Sequence, residues 1–188
     1  MRIFLAVFPP HEVQRAVHAA AESLRRPKDG VSWVKLENLH YTLRFMGELG
    51  EDGTRRVKEA AEEAARTDAP FTAALGALGA FPNPRRARVL WAGMTEGGER
   101  LTAVARALEA GLRRRGFDAA DHPFSAHLTI GRVRDPRADW TERLATVVVA
   151  PGGSHFTVDR LCVVQSQLSP RGSTYTVIHE ARLTRAGA

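Results

Sequence analysis

The sequence predicts an α+β fold. Two pseudo-symmetric lobes of antiparallel sheet carry helices on the outside and face each other across a cleft, within one domain spanning residues 1–188. Three observations predict this. Strand-like and helix-like periodicities interleave, with about eight of the first and four of the second. Each half of the chain holds hairpin-like strands and a pair of helices, as expected of an internal duplication. Finally, a short motif occurs once per half. His40-Tyr41-Thr42-Leu43 and His127-Leu128-Thr129-Ile130 both read His-x-Thr-aliphatic, 87 residues apart.

The elements follow in order. Ile3–Phe8 reads as a buried strand ended by Pro9-Pro10, and a proline suits the first turn of the helix that follows. His11–Arg26 places Val13, Val17, Ala20, Ala21 and Leu24 on one helical face. Pro27–Gly30 turns the chain into a short strand, Val31–Lys35, and then the first motif strand, Leu39–Met46. A loop over Gly47–Gly53 leads to an alanine-rich helix, Thr54–Arg66. Phe71–Leu78 and Ala87–Met94 are strands flanking a rigid basic turn at Pro82–Arg86. Glu99–Arg115 is a helix ending at Gly116. The second motif strand is His127–Val133, followed by a turn at Asp135-Pro136 and a helix over Ala138–Val147. A loop at Pro151–Gly153 precedes one long strand, Phe156–Gln167. The turn Ser169–Gly172 then leads to the last strand, Thr174–Leu183.

Composition limits the function. A hydrophobic fraction of 44% in 188 residues supports an ordinary folded core. No apolar run approaches the ~18 residues of a membrane span, and Met1–Phe8 lacks the layout of a signal peptide. One cysteine, Cys162, precludes an internal disulfide and fits a reducing, cytoplasmic setting. The net charge of +6 favours a polyanionic partner such as nucleic acid. Arg85-Arg86, in the rigid turn, is the best placed basic pair to touch a nucleic-acid backbone.

The chemistry lies in the repeat. Side chains alternate along a strand, so each histidine shares a face with the threonine two residues on. Histidine exchanges protons near neutral pH, and a facing pair can act as acid and base. Thr42 and Thr129 offer hydroxyl donors, and Arg132 or Arg44 can add charge-assisted ones. Donors set between an acid and a base suit in-line attack at phosphorus. Strict alternation puts Arg44 on the His40 face and Arg132 with the core. For Arg132 to reach the cleft the strand must bulge near Gly131. No acidic or cysteine ligand stands at metal-binding spacing in either motif, so no metal is expected. His11, His18, His122, His155 and His179 lack a repeated partner and are read as having no part in the site. Trp33 and Trp91 are read as core.

The paired motifs resemble those of the two-histidine phosphoesterases, and within them the RNA 2',3'-cyclic phosphodiesterase family, also called 2'-5' RNA ligases. The resemblance extends over Arg2–Val7, Trp33–Glu48, Arg88–Gly93, Pro123–Arg132 and Ser166–Tyr175, with Ala126 where such proteins often carry proline. It implies two pseudo-symmetric α+β lobes and hydrolysis of RNA 2',3'-cyclic phosphate ends to 2'-phosphates without metal or cofactor. In some members it implies the reverse 2'-5' joining of tRNA fragments. Carried over, His40 and His127 are the acid–base pair, and Thr42 and Thr129 hold phosphate oxygens. Arg132 is preferred over Arg44 as a further phosphate ligand. Pseudo-symmetry lets the two roles run either way; the preferred assignment has His127 activating water and His40 protonating the departing 3'-oxygen. A monomer is expected. Two other readings are a phosphodiesterase for a small cyclic nucleotide of the ADP-ribose cyclic phosphate type, and a non-catalytic RNA-binding module.

Overall fold

A computed structural model describes residues 1–135, 138–149, 154–170 and 172–184. Its strands are β1 (Arg2–Val7), β2 (Val31–Trp33), β3 (Tyr41–Glu48), β4 (Phe71–Phe81), β5 (Val89–Glu96), β6 (Leu128–Val133), β7 (His155–Val158), β8 (Arg160–Ser169) and β9 (Gly172–Arg182). The helices are α1 (His11–Leu24), α2 (Glu51–Ala65), α3 (Gly98–Arg114) and α4 (Thr141–Ala145). The turns expected at Asp135-Pro136, Pro151–Gly153 and Ser169–Gly172 fall wholly or partly outside the described residues.

All strand pairs are antiparallel, in the order β7-β4-β5-β6-β3-β1-β8-β9, with β2 also on β6. The join between β3 and β6 is a single residue pair, Tyr41 with Leu128. The sheet is therefore two halves, β7-β4-β5-β6 with β2 and β3-β1-β8-β9, meeting at one seam. Its two residues are the middle ones of the two His-x-Thr motifs. Antiparallel pairing about that point relates the motifs by an approximate two-fold.

The strand read as Phe156–Gln167 divides at Asp159. β7 pairs with β4 in one half, and β8 pairs with β1 in the other. One extended segment thus spans both halves, and the sheet must curl for this to occur. The helix read as starting at Thr54 begins at Glu51, whose carboxylate and that of Asp52 suit a helix N-terminus. Gly53, buried against Leu49, lies within it. The helix read over Ala138–Val147 shrinks to Thr141–Ala145, because the Asp139 side chain accepts the Thr141 N–H at 2.8 Å and Trp140 is fully buried.

The faces of the sheet differ. On the convex face Ile3, Leu5, Val7, Tyr41, Leu128 and Ile130 join Val13 and Val17 of α1, Val57 of α2 and Leu108 of α3 in one core. On the concave face Phe4, Ala6, Cys162 and Val164 form a small second cluster, with Phe8 and Tyr175 packed on it. In β8 the consecutive residues Leu161–Val164 are buried, so this stretch of the strand is covered on both faces.

Candidate active site

Each motif histidine stands one residue before its strand. His40 precedes β3 and His127 precedes β6, where the sequence reading had placed both inside strands. The cause is the same local bond in both. The His40 Nδ1 bonds the Asn38 carbonyl at 2.7 Å, and the His127 Nδ1 bonds the Ser125 carbonyl at 2.9 Å. A carbonyl can only accept, so each Nδ1 carries the hydrogen and each Nε2 is left with a lone pair. The Nε2 of His40 accepts from the Thr42 hydroxyl at 2.9 Å.

The surroundings hold both imidazoles neutral. Phe4, Phe8 and Tyr175 enclose His40, with ring centroids at 4.9, 5.4 and 5.4 Å. Burial pushes its pKa down to about 4, and the positive charge of Arg132 and nearby His127 act in the same direction. His127 packs edge-on to Phe81 at 5.0 Å, and burial, then the charge of Arg132, lowers its pKa as well. The charge of Arg132 thus opposes protonation of both rings.

A cavity of about 320 Å³ is lined by Thr42, His127, Thr129, Arg132, Phe45 and Phe81, among others. His122, set aside in the sequence reading, also lines it. Arg132 forms no ion pair among the described residues, so an uncompensated cation stands beside two threonine hydroxyls and two neutral imidazoles. Such an arrangement favours an oxyanion. Among the described residues no three His, Cys, Asp or Glu side chains come together as metal ligands would.

Two β-bulges decide which residues reach this cavity. In β6, Leu90 and Trp91 of β5 face Gly131 and Thr129, so Ile130 is an extra residue. Ile130 and Gly131 then both turn to the core, and Arg132 returns to the Thr129 side. In β3, Leu5 and Ala6 face Arg44 and Thr42, so Leu43 is the extra residue. Arg44 consequently does not share the His40 face. It takes the core side with Leu5 and reaches α3, at 3.5 Å from Glu109 and donating to the Asp118 carbonyl at 2.8 Å. Its side chain still borders the cavity, as part of the frame.

Several residues of the site were missed by sequence reading. Asn38 is buried and donates to the Ser173 carbonyl at 2.8 Å, fixing the carbonyl that holds His40. Gln14 does the same for the next residue, donating to the Leu39 carbonyl at 2.9 Å. Trp91 faces the cleft side with Thr129, not the core; its indole covers Gly79, where a Cβ would come within 2.3 Å of the ring. Trp33 packs on the core side against Trp140. Of the remaining histidines, His155 and His179 pair with Glu96 and Glu62, and His18 stands 3.8 Å from Glu22.

Comparison with known proteins gives these features a family context. The model of the LigT-like phosphoesterase family matches twice, over residues 7–91 and 93–175, once for each half of the sequence. A protein of Archaeoglobus fulgidus named RNA 2',3'-cyclic phosphodiesterase is 36% identical, the match covering 93% of this chain and 96% of that one. A Methanothermobacter thermautotrophicus protein of the same name is 34% identical over 97% of this chain and 99% of its own. The crystal structure of TT0787 from Thermus thermophilus superposes with a TM-score of 0.83 at 32% identity, covering all of both chains. The doubled match, the full-length relatives and the shared fold agree that this chain belongs to the LigT-like phosphoesterase family.

Proposed function

We propose that the protein hydrolyses 2',3'-cyclic phosphate ends of RNA to 2'-phosphates through His40 and His127, and that 2'-5' ligation is the same ring opening with a 5'-hydroxyl attacking in place of water. The observation that carries this is the cavity itself. Arg132, without an ionic partner among the described residues, shares it with Thr42, Thr129 and His127, and Thr42 is bonded to His40. The names of the full-length relatives agree with it.

In this reading Arg132 and the two threonine hydroxyls hold the non-bridging oxygens. His127 Nε2 accepts a proton from water as its oxygen bonds phosphorus. The bond from phosphorus to the 3'-oxygen breaks, and His40 Nε2–H protonates that oxygen. The negative charge of the substrate favours the imidazolium that His40 needs to act as the acid. Arg44 fixes the α3 side of the cavity and does not touch phosphate. The reaction needs no metal or nucleotide cofactor, and a monomer in the cytoplasm suffices for it.

The test is a short RNA with a 2',3'-cyclic phosphate end, incubated with EDTA. A 2'-phosphate product is expected. A 3'-phosphate product, or turnover only with added metal, would overturn the proposal. His40→Ala and His127→Ala should each cost roughly 10²–10⁴ in rate, while His155→Ala leaves it unchanged. A substrate with sulfur as the bridging 3'-atom separates the roles, since a thiolate leaves without an acid. It should rescue His40→Ala and not His127→Ala.

A further inference from the structure

The two motif histidines are held by matching bonds on unlike supports. The Asn38 carbonyl that takes the His40 Nδ1 hydrogen ends a short helical turn, Leu36–Asn38, and the buried side chains of Asn38 and Gln14 tie that region to β9 and to α1. The Ser125 carbonyl that serves His127 has no such frame. It lies in the stretch Arg115–His127, which joins α3 to β6 without helix or strand. Among the described residues, no backbone group from Asp118 to Ser125 bonds another backbone group. Ala120, His122, Pro123 and Phe124 also have space on both sides. They line the cavity of the site and a second cavity, of about 360 Å³, against α3.

An ion pair grips the first half of this strap. Arg44 and Glu109 stand 3.5 Å apart, with side chains only 16% and 29% exposed. Arg44 donates to the Asp118 carbonyl at 2.8 Å, and Glu109 accepts the Ala120 N–H at 2.9 Å. The strap is thus held on both sides of Ala119, from β3 and from α3 at once, while Phe124 rests on the core further along. Partial burial shields such a pair from salt better than full exposure would. We infer that Arg44 and Glu109 are positioning residues for His127: they fix the strap whose Ser125 carbonyl keeps the hydrogen on Nδ1 and the lone pair on Nε2. This rests on the function proposed above, in which that lone pair takes the proton of water. β3 then serves both histidines. Thr42 bonds His40, and Arg44, turned to the other face by the bulge, steadies the strap of His127.

The experiment is a cycle of substitutions assayed on adenosine 2',3'-cyclic phosphate. Arg44→Met, which keeps apolar length and removes the donors, should lower kcat by about 10- to 100-fold, the scale of a base displaced by about an ångström. Arg44→Lys, with one donor group left, should lose less. In the His127→Ala background Arg44→Met should cost nothing further, because the residue it positions is gone. Equal losses with and without His127 would mean a general structural role, and no loss in the parent would mean that the strap needs no grip; either overturns the inference. Glu109→Gln gives the same comparison if Arg44→Met folds poorly. It keeps an acceptor for Ala120, loses the charge facing Arg44, and should likewise be silent without His127. Nitrogen-15 shifts of the His127 ring read the positioning without substrate. At about pH 8 the parent should show the Nδ1–H tautomer alone and Arg44→Met a mixture of both; an unaltered tautomer overturns the inference. A parent that turns over no cyclic phosphate overturns the function proposed above, and the tautomer comparison then still decides whether the pair positions the ring.

Discussion

His40 and His127 reach the same protonation state by the same device. A backbone carbonyl two residues back takes the Nδ1 hydrogen, and aromatic packing removes water from the ring. Both pKa values lie below the ordinary 6.5, that of His40 at about 4. Catalysis needs one ring protonated and the other neutral, so kcat/KM rises with pH through the lower value and falls through the higher. Its maximum is therefore expected on the acid side of pH 6.5, with the maximum of kcat displaced upward because the bound phosphate favours the imidazolium. A kcat/KM that stays level to pH 8 would contradict this assignment. Stability follows the same sign. The folded state binds fewer protons than the unfolded chain between pH 6.5 and 4, so the contribution of His40 is complete above pH 6.5 and is lost as pH falls. Chemical denaturation of His40→Gln should show a smaller loss over that interval than the parent. The paired histidines and their threonines were legible in the sequence because each half of the repeat lies within a few residues. Asn38 was not, because the carbonyl it holds belongs to Ser173, 135 residues away.

At the scale of elements, alternation was a sound guide until each bulge. Thr42 and Thr129 fall where it puts them, on the cavity side. Beyond them it fails in both halves, because a bulge is set by register with a neighbouring strand, and register is a property of the pair. Gly131 was the one local sign. A Cβ there would lie 2.7 Å from Cγ1 of Val31 and 3.2 Å from the Trp33 ring, so glycine is what lets β2 close on β6 beside the bulge. Leu43 gave no such sign, and the parity assigned to Arg44 was wrong for that reason. The break at Asp159 was equally hidden, since both sides of it are extended and apolar. Gly131→Ala is expected to destabilise the fold by about 1–3 kcal/mol through overpacking. It should also lower kcat/KM more than it changes kcat of a substrate already bound, because it displaces the strand that carries Arg132. Urea melts and kinetics at saturating substrate check both parts, and a Gly131→Ala protein of parental stability would show that β2 can yield.

Over the whole molecule, the duplication that sequence suggested through two short motifs becomes a sheet hinged at Tyr41 and Leu128. The charge also acquires a place. β4 and β5 present Phe81 and Val89 to the cavity, and the turn between them carries Arg85 and Arg86, both exposed. An RNA of several nucleotides whose end occupies the cavity is expected to run on past this rim, and a mononucleotide is not. With a net charge of +6, binding of a longer strand should release counterions, so log kcat/KM for an RNA of several nucleotides should fall linearly with log salt. The slope for a mononucleotide cyclic phosphate should be shallower. Changing Arg85 and Arg86 together to Ala should reduce the steepness for the longer RNA by about 1.4, at roughly 0.7 for each contact with a single strand. It should leave the mononucleotide unaffected, because neither arginine belongs to the site of reaction. Equal slopes for both substrates, unchanged by the double substitution, would instead favour a small cyclic nucleotide as the substrate and leave the basic rim as a solvated surface.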